Sequence, residues 1–196
     1  QGVSSAASDV YKRQIQTLPV AGSGSKFYLT TPMPLRLDGR FAIGLQAEDW
    51  DDVSGGPDGF YSMEMQLDGK VVFKQELDQF SFSETRYVNS SIDYELKQNS
   101  GNVTQFCFLQ PGNRMTIFKE KNNTGIIQLS DSTLHIIRVE LKDHAGNSAA
   151  LQFFVQGIVS LAPRTKPALN FSQLFPFGKA NLFENDAVKV ELPEGM

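Results

Sequence analysis

The side chains that could do chemistry in this chain are two histidines, one cysteine and a group of carboxylates. His135 and His144 lie nine positions apart, and Cys107 is the single cysteine. A catalytic zinc site usually takes three protein ligands and leaves a fourth position for water. A serine hydrolase of the α/β class carries a G-x-S-x-G turn, and the chain has none. The sequence therefore predicts no catalytic residue, metal ligand or cofactor-binding residue within this stretch.

Cys107 lies in the run Gln105–Leu109, between two phenylalanines. A reactive thiolate needs a cationic and partly exposed setting, whereas apolar burial raises the pKa of a thiol. We therefore predict that Cys107 is a core residue. With a single cysteine no internal disulfide can form, so the core alone must stabilise the fold.

Acidic residues surround Trp50: they are Glu48, Asp49, Asp51, Asp52 and Asp58. Carboxylates close to Gly55 and Gly56 could ligate calcium, but their spacing does not match an EF-hand loop. Charge runs are usually hydrated surface. A solvated acidic loop over residues 48–58 is the favoured interpretation, and calcium binding is left open.

The overall composition argues against two kinds of partner. The formal net charge is −4 and the pI is about 5.2, whereas contacts with nucleic-acid phosphates need clustered Lys and Arg. No apolar run reaches the roughly 20 residues that span a bilayer.

Hydrophobic residues make up 40% of the chain, with 15 Phe among them, which is enough for a sizeable core.

Two stretches of alternating apolar and polar residues predict β-hairpins. The first runs from Gly59 to Phe73 and turns at Asp68-Gly69. The second runs from Leu134 to Val155 and turns within Asp143–Asn147. Together they indicate a sandwich of antiparallel strands.

The register of the first hairpin follows from which side chains it buries. A strict two-residue loop would pair Met65 with Val72. A loop longer by one residue pairs Met65 with Phe73 and Leu67 with Val71, so that all four are buried. We therefore favour a three-residue, bulged loop.

In the second hairpin, His135 is in phase with the apolar face formed by Ile137, Val139 and Leu141. Immunoglobulin-like sandwiches often carry a Tyr near the start of such a strand, and its hydroxyl bonds back to the backbone. We expect His135 to replace that residue, in preference to a catalytic role.

A half-buried strand, with one face buried, is predicted at Phe41–Ala47. Further strands are predicted at Gln105–Leu109, Met115–Lys119 and Ile126–Leu129. Between Ser83 and Gly101 the periodicity is weak. A connection of that length is usually functional or packs onto the sandwich as an insertion, and we favour the packed insertion. Its Tyr87 and Tyr94, together with Trp50, are the candidate partner-binding residues.

The predicted fold class is all-β: an immunoglobulin-like antiparallel β-sandwich with an insertion, plus the truncated start of a second β-sandwich. Residues 1–26 are expected to be a non-native or disordered leader and linker, with Val3–Gln14 similar to a sequencing-adapter remnant. The sandwich covers residues 27–158, with its insertion around 83–125. A proline-containing linker covers 159–169, and the second β domain starts at 170–196. The chain is expected to be a fragment.

About three quarters of the chain resembles the non-catalytic, immunoglobulin-like region that follows the peptidase domain in certain bacterial lysostaphin-type zinc endopeptidases. The segments that carry this resemblance are Gly39–Asp49, Gly59–Lys70, Asp78–Phe82, Glu84–Ser90, Ile92–Tyr94, Pro111–Asn113 and Asp143–Asn147. The segments Phe175–Phe177, Asn181–Glu184 and Leu192–Gly195 resemble the opening of the next sandwich in the same proteins.

The chemistry of that family needs an H-x-x-x-D motif and an H-x-H motif to hold zinc. His135 and His144 match neither motif, so no catalytic residue carries over to this chain. The resemblance implies a zinc-bearing catalytic domain that precedes Gln1.

The function that the resemblance implies is that of an accessory module of a peptidoglycan endopeptidase, located in the periplasm, in the cell envelope or outside the cell. Its expected partners are its own catalytic domain, neighbouring β domains and cell-wall material. The alternative is an independent adhesion or ligand-binding module, in which Trp50, Tyr87 and Tyr94 would contact a glycan or a peptide. A fragment that is itself an enzyme has the least support.

Overall fold

The structure, a computed structural model, describes residues 2–7, 14–50, 57–120, 123–158, 173, 175–176 and 178–194. For residues 2–7, 14, 49–50 and 57–58 only the backbone is described. The chain divides into two units, Gln1–Leu161 and Ala162–Met196. The linker predicted at 159–169 lies outside the described residues. In the part of the chain that is described, no helix has the length and apolar character of a membrane span.

The described residues of the first unit form short strands and two helices. The strands are β1 (Gly2–Ala7), β2 (Gln14–Ser23), β3 (Lys26–Leu29), β4 (Leu35–Leu37), β5 (Arg40–Leu45), β6 (Asp49–Trp50), β7 (Pro57–Asp58), β8 (Ser62–Leu67), β9 (Lys70–Glu76), β10 (Gln105–Phe106), β11 (Ile127–Gln128), β12 (Leu134–Lys142) and β13 (Ser148–Gly157). A 3₁₀ helix (Phe82–Ser91) and α1 (Tyr94–Ser100) lie between β9 and β10.

Most strands belong to one continuous path, in the order β10-β5-β1-β2-β3-β13-β12-β8-β9, with β11 on β5 and β4 on β13. The two ends of the path meet across the core. Cys107, which follows β10, places its Sγ 3.5 Å from Met63 Sδ in β8, and its N–H bonds to the Ile43 carbonyl of β5. The predicted all-β, sandwich-like fold is confirmed.

The core is a single cluster of apolar side chains from strands of both layers. Met63 and Met65 from β8, and Ile137 and Val139 from β12, are at most 1% exposed. Alternate residues of these two strands point inward, as the period of a strand requires. In β5, by contrast, every residue from Phe41 to Leu45 is buried, so this strand is covered on both faces and the predicted single buried face is wrong.

The first hairpin combines features of both registers considered above. Met65 pairs with Phe73 as predicted, but Leu67 pairs with Lys70, so the predicted pairing of Leu67 with Val71 is wrong. The loop is the two-residue Asp68-Gly69, with φ of 51° and 78°, which matches the twist of antiparallel strands. A register shift beside Met65 takes up Val72 as the extra residue. The bulge thus lies inside the strand, where it allows both the tight turn and the buried pair.

The second hairpin is confirmed. β12 and β13 pair from Leu134↔Gln156 to Lys142↔Ser148, and the N–H of Asp143 closes the loop on the Asn147 carbonyl.

The structure differs from the flexible linker expected at Ile15–Ser25. β2 occupies most of that range and pairs with β3, with Val20 opposite Leu29. Leu18 is 3% exposed, so a short apolar alternation is enough to bring the segment into the sheet.

The strands predicted around residues 111–113 are shorter or absent. β10 is limited to Gln105–Phe106, and the Met115–Lys119 segment has a single bridge, from Phe118 to Gln75. Backbone bonds from Glu76 N–H to the Ile117 carbonyl and from Lys119 N–H to the Lys74 carbonyl still attach that segment to β9. It therefore covers the free edge of β9, which would otherwise be open to pairing with another chain.

In the second unit, the described residues form one hairpin, β14 (Asn181–Glu184) and β15 (Lys189–Leu192). Phe183 pairs with Val190, and Phe183, Val190 and Leu192 are half-buried. The alternation of Val188, Val190 and Leu192 would place all three on one face, but Val188 precedes the strand and is 51% exposed. Its N–H instead donates to Asn185 Oδ1, which holds the turn.

We predict that Gly69→Ala lowers the free energy of unfolding by about 1–2 kcal/mol, because an L-residue with positive φ is strained. A Cβ at Gly69 would meet nothing within 4 Å, so the cost is one of backbone conformation alone. Gly59→Ala is the matched control, since its Cβ site is equally open and its φ is not positive. Equal losses for the two variants in urea melts would contradict the assigned turn.

We also predict that Phe73→Ala costs about 3–5 kcal/mol, as large core truncations do. Glu64 points to the face of the hairpin opposite Phe73 and accepts a hydrogen bond from Gln66. Glu64→Ala should therefore lower the free energy of unfolding by about 1 kcal/mol or less. Urea melts of both variants measure the difference. Similar losses would mean that Phe73 does not fill the core.

Candidate functional site

The insertion between β9 and β10 is helical, and its sequence contains capping residues at the helix boundaries. Ser81 caps the 3₁₀ helix, and its Oγ accepts from the Ser83 N–H. Asp93 caps α1, and its Oδ1 accepts from the Leu96 N–H at 3.1 Å. Gly101 ends α1 with φ of 77°. An Asp before the first turn and a Gly after the last are typical helix boundaries, so the sequence did contain the signal.

Hydrogen bonds attach this insertion firmly to the loop that precedes β11. Asn113 Nδ2 donates to Ser90 Oγ at 2.8 Å and to Ser91 Oγ at 3.2 Å. Glu84 Oε2 accepts from both the N–H and the hydroxyl of Thr116, each at 3.0 Å. The insertion therefore has a defined position relative to the sandwich.

The structure separates the candidate tyrosines. Tyr87 is half-buried and packs against the core cluster. The Arg86 guanidinium lies 4.9 Å from the centroid of its ring, and Arg86 Nη2 donates to its hydroxyl at 2.9 Å. Tyr94 is 50% exposed. The side chain of Trp50, the third candidate, lies outside the described residues.

Arg86 and Tyr94 line the same open groove, which has a volume of about 490 Å³. The buried ring of Phe106 contributes to its lining, together with the side chains of Asn89 and Gln110. Asp93 and Glu95 add two carboxylates to this lining. The groove therefore offers an aromatic face together with amide, guanidinium and carboxylate groups, a mixture that suits a polar ligand with one flat side.

The insertion also concentrates exposed apolar side chains. Six of the thirteen exposed large apolar residues found among the described residues lie between Leu77 and Val103: Leu77, Phe80, Phe82, Val88, Tyr94 and Val103. Phe82 is 95% exposed. Single exposed apolar residues are common, so it is the concentration of six of them in one segment that distinguishes the insertion.

A second polar cluster surrounds His135 at the start of β12. Its Nδ1 lies 2.7 Å from Asp68 Oδ2, and its Nε2 lies 3.1 Å from Asp131 Oδ1. The hydrogen bond to Asp68, supported by Asp131, raises the pKa of His135 above its ordinary value of 6.5. Thr133 donates both its N–H and its hydroxyl to Asp131, and with His135 these bonds hold the pKa of Asp131 down, at about 2.

His135 therefore ties the first hairpin to the loop before β12 through side-chain carboxylates. We expected His135 to replace a corner tyrosine that bonds to the backbone. Its two ring nitrogens instead face the carboxylates of Asp68 and Asp131. Because both ring nitrogens face carboxylates, neither has a lone pair available for a metal once the ring is protonated.

The histidines do not assemble a zinc site in the described part of the chain. His144 stacks on Tyr61 with ring centroids 5.7 Å apart. Within the described residues, no group of three or more His, Cys, Asp or Glu side chains could hold a metal ion. The zinc that the resemblance implies is expected in a separate catalytic domain, so this finding does not bear on it.

Cys107 is a core residue, as predicted. It is 0% exposed, and burial raises the pKa of its thiol to about 12. It is therefore protonated and shielded at physiological pH, which is unsuited to a nucleophile.

The acidic segment around Trp50 is only partly described. β6 and β7 pair through Asp49↔Asp58 and Trp50↔Pro57. Residues 51–56 lie outside the described residues, so the solvated loop predicted at 48–58 stays a prediction and calcium binding stays the open alternative.

Comparison with known proteins does not assign the chain to a family. No family model matches it, and no curated protein or solved structure matches it significantly.

We predict that His135 makes the stability of the first unit depend on pH. Because its pKa is raised in the folded state, its contribution is complete below the unfolded pKa near 6.5 and is lost as the pH rises through the folded pKa. The contribution of Asp68, whose pKa is lowered by the same bond, is lost only at acidic pH below its ordinary value of 3.8. The stability advantage of the wild type over His135→Gln should therefore shrink from pH 6 to pH 9.

Urea melts at several pH values measure this advantage, with His144→Gln as the matched control. The control should leave the pH dependence of the wild type unchanged. A constant difference between wild type and His135→Gln across this range would contradict the assigned hydrogen bonds.

Proposed function

We propose that this chain is a non-catalytic β-sandwich module of a bacterial cell-envelope peptidoglycan zinc endopeptidase, and that it positions the catalytic domain by docking to it. The catalytic domain belongs to the part of the protein outside this chain. The assignment to a peptidase rests on the sequence resemblance, and the docking role rests on the insertion.

The observation that carries the docking role is the concentration of exposed apolar residues on the insertion, above all Phe82 and Tyr94. Rigid aromatic side chains dominate binding energy when they enter a partner's pocket. The bonds of Asn113 and Glu84 hold the insertion in place before binding, which reduces the entropy lost on association.

The exposure of Tyr94 favours docking over the covering role that the sequence suggested. A purely structural cover would turn both tyrosines inward, but only Tyr87 packs against the core. We therefore assign Tyr87 to anchoring the insertion and Tyr94 to contact with the partner.

The intact gene tests the peptidase parent. The coding sequence that precedes Ile15 in the native reading frame should contain an H-x-x-x-D motif and an H-x-H motif. A run of further sandwich repeats, without those motifs, would contradict the proposal.

We predict that the double variant Phe82→Ser, Tyr94→Ser weakens binding of this chain to the separately expressed catalytic domain by tenfold or more, about 1.4 kcal/mol. Calorimetric titration measures the affinity. Tyr28→Ser is the control, since Tyr28 is 58% exposed but lies on β3, which pairs with neither of the strands that flank the insertion. Equal affinities for wild type and double variant would refute the docking role.

A second candidate function is that of an adhesion or ligand-binding module, and the groove beside Tyr94 favours it. The groove could take a flat polar ligand such as a glycan ring, with Tyr94 as the stacking face and Arg86 and Asn89 as hydrogen-bond donors. Saturable binding of soluble peptidoglycan fragments that is lost in Tyr94→Ala would support this second function, whereas unchanged binding in that variant would exclude the groove as its site.

A further inference from the structure

A cavity of about 270 Å³ opens at one end of the sandwich, on the opposite ends of β8 and β12 from the His135 cluster. Its walls include Leu45, Phe60, Val139 and Leu151, each at most 6% exposed. Val20 and Phe27 bring β2 and β3 to the same space. The cavity is thus a gap between the layers of the sandwich.

Protein interiors are packed closely, and voids larger than a water molecule are few. An unfilled apolar space forfeits dispersion contacts along its whole lining. For comparison, an engineered cavity of about 150 Å³ lined by Leu, Ile and Phe stays dry and binds benzene. A cavity of about 270 Å³, part of which is its polar mouth, therefore has room for a small apolar group that carries a polar head.

The rim of the cavity is polar and carries more negative than positive charge. Glu48 and Asp143 supply two carboxylates, and Lys142 supplies one ammonium group. Asp143 accepts from the backbone N–H of Asn147 at 2.8 Å and from its Nδ2 at 2.6 Å, which fixes one carboxylate at the mouth. The ammonium group of Lys142 also forms an ion pair with Glu140, with its Nζ 3.7 Å from Glu140 Oε2. Gln46 donates to Thr104, which leaves its side-chain oxygen as an acceptor.

From these walls and this rim we propose that the cavity binds a small amphiphile, an apolar chain or ring that carries a protonated amine. The apolar part would lie among Leu45, Phe60 and Leu151, and the ammonium group would face Glu48 and Asp143. A carboxylate head group would meet the two carboxylates of Glu48 and Asp143 against the single ammonium group of Lys142, so a fatty acid is disfavoured.

The test compares hexylammonium, hexanol and hexanoate as probes of the full chain at one pH. Thermal melts and calorimetric titration should show saturable binding of hexylammonium. The affinity for hexanoate should be lower by roughly fivefold or more, because a partly exposed charge contact contributes about 1 kcal/mol. Leucine methyl resonances of the cavity lining should shift on titration.

Two cavity-filling variants locate the site. Ala149 and Ala47 line the cavity, so Ala149→Leu and Ala47→Leu should each weaken hexylammonium binding by about tenfold or more, because the new side chain occupies the space. Ala150→Leu is the matched control, since neighbouring residues of a strand point to opposite faces and Ala150 does not line the cavity. Its affinity should equal that of the wild type.

Binding of hexylammonium that survives in both filling variants would overturn the assigned site. The absence of saturable binding for all three probes would overturn the proposal as a whole. Tighter binding of hexanoate than of hexylammonium would overturn the assigned ligand class.

Discussion

The register of β12 is the constraint on which the first unit depends. This strand pairs with β13 from Leu134 to Lys142 and with β8 from Ile137 to Lys142, which places Ile137 and Val139 in the core. A slip of one residue would turn Arg138 and Glu140 inward. On the outer face, Glu140 lies opposite Glu64, and this like-charge pair is offset by Arg138 at 2.9 Å from Glu140 and Lys74 at 3.7 Å from Glu64. His135 marks one end of the strand and the amphiphile cavity the other, so both sites depend on the same register.

The insertion has a different physical basis. Its helices are too short to be stable in isolation, and no residue of either helix is buried. Their stability comes from the caps at Ser81 and Asp93. Two further hydrogen bonds join the 3₁₀ helix to the loop before β11: Asn113 donates to Ser90, and Thr116 donates to Glu84. Such a segment is held in place with only Tyr87 packed against the core, and Phe82, Val88 and Tyr94 stay exposed. This division between a buried sandwich and an outward-facing insertion supports a role in positioning another domain.

The sequence was sufficient for the features that depend on periodicity. The alternation around Met65 and Ile137 predicted both hairpins, the buried pair with Phe73 and the all-β class, because one buried face fixes a strand's register. Periodicity alone could not predict the features in which two local preferences compete. The bulge at Val72 reconciles a favourable turn with a buried pair, and neither requirement alone indicates it. Short apolar runs such as Met115–Lys119 have no distinct period, and the pairing of His135 with Asp68 and Asp131 joins residues far apart in the chain.

We propose that the insertion is covered by the catalytic domain of the full-length protein. Amide hydrogen exchange of Phe82–Ser100, compared between this chain alone and the intact protein, measures that cover directly. We predict slower exchange of these amides in the intact protein, with the exchange of Ile137–Leu141 unchanged because that strand is buried in both. Identical exchange of Phe82–Ser100 in the two forms would show that no domain covers the insertion.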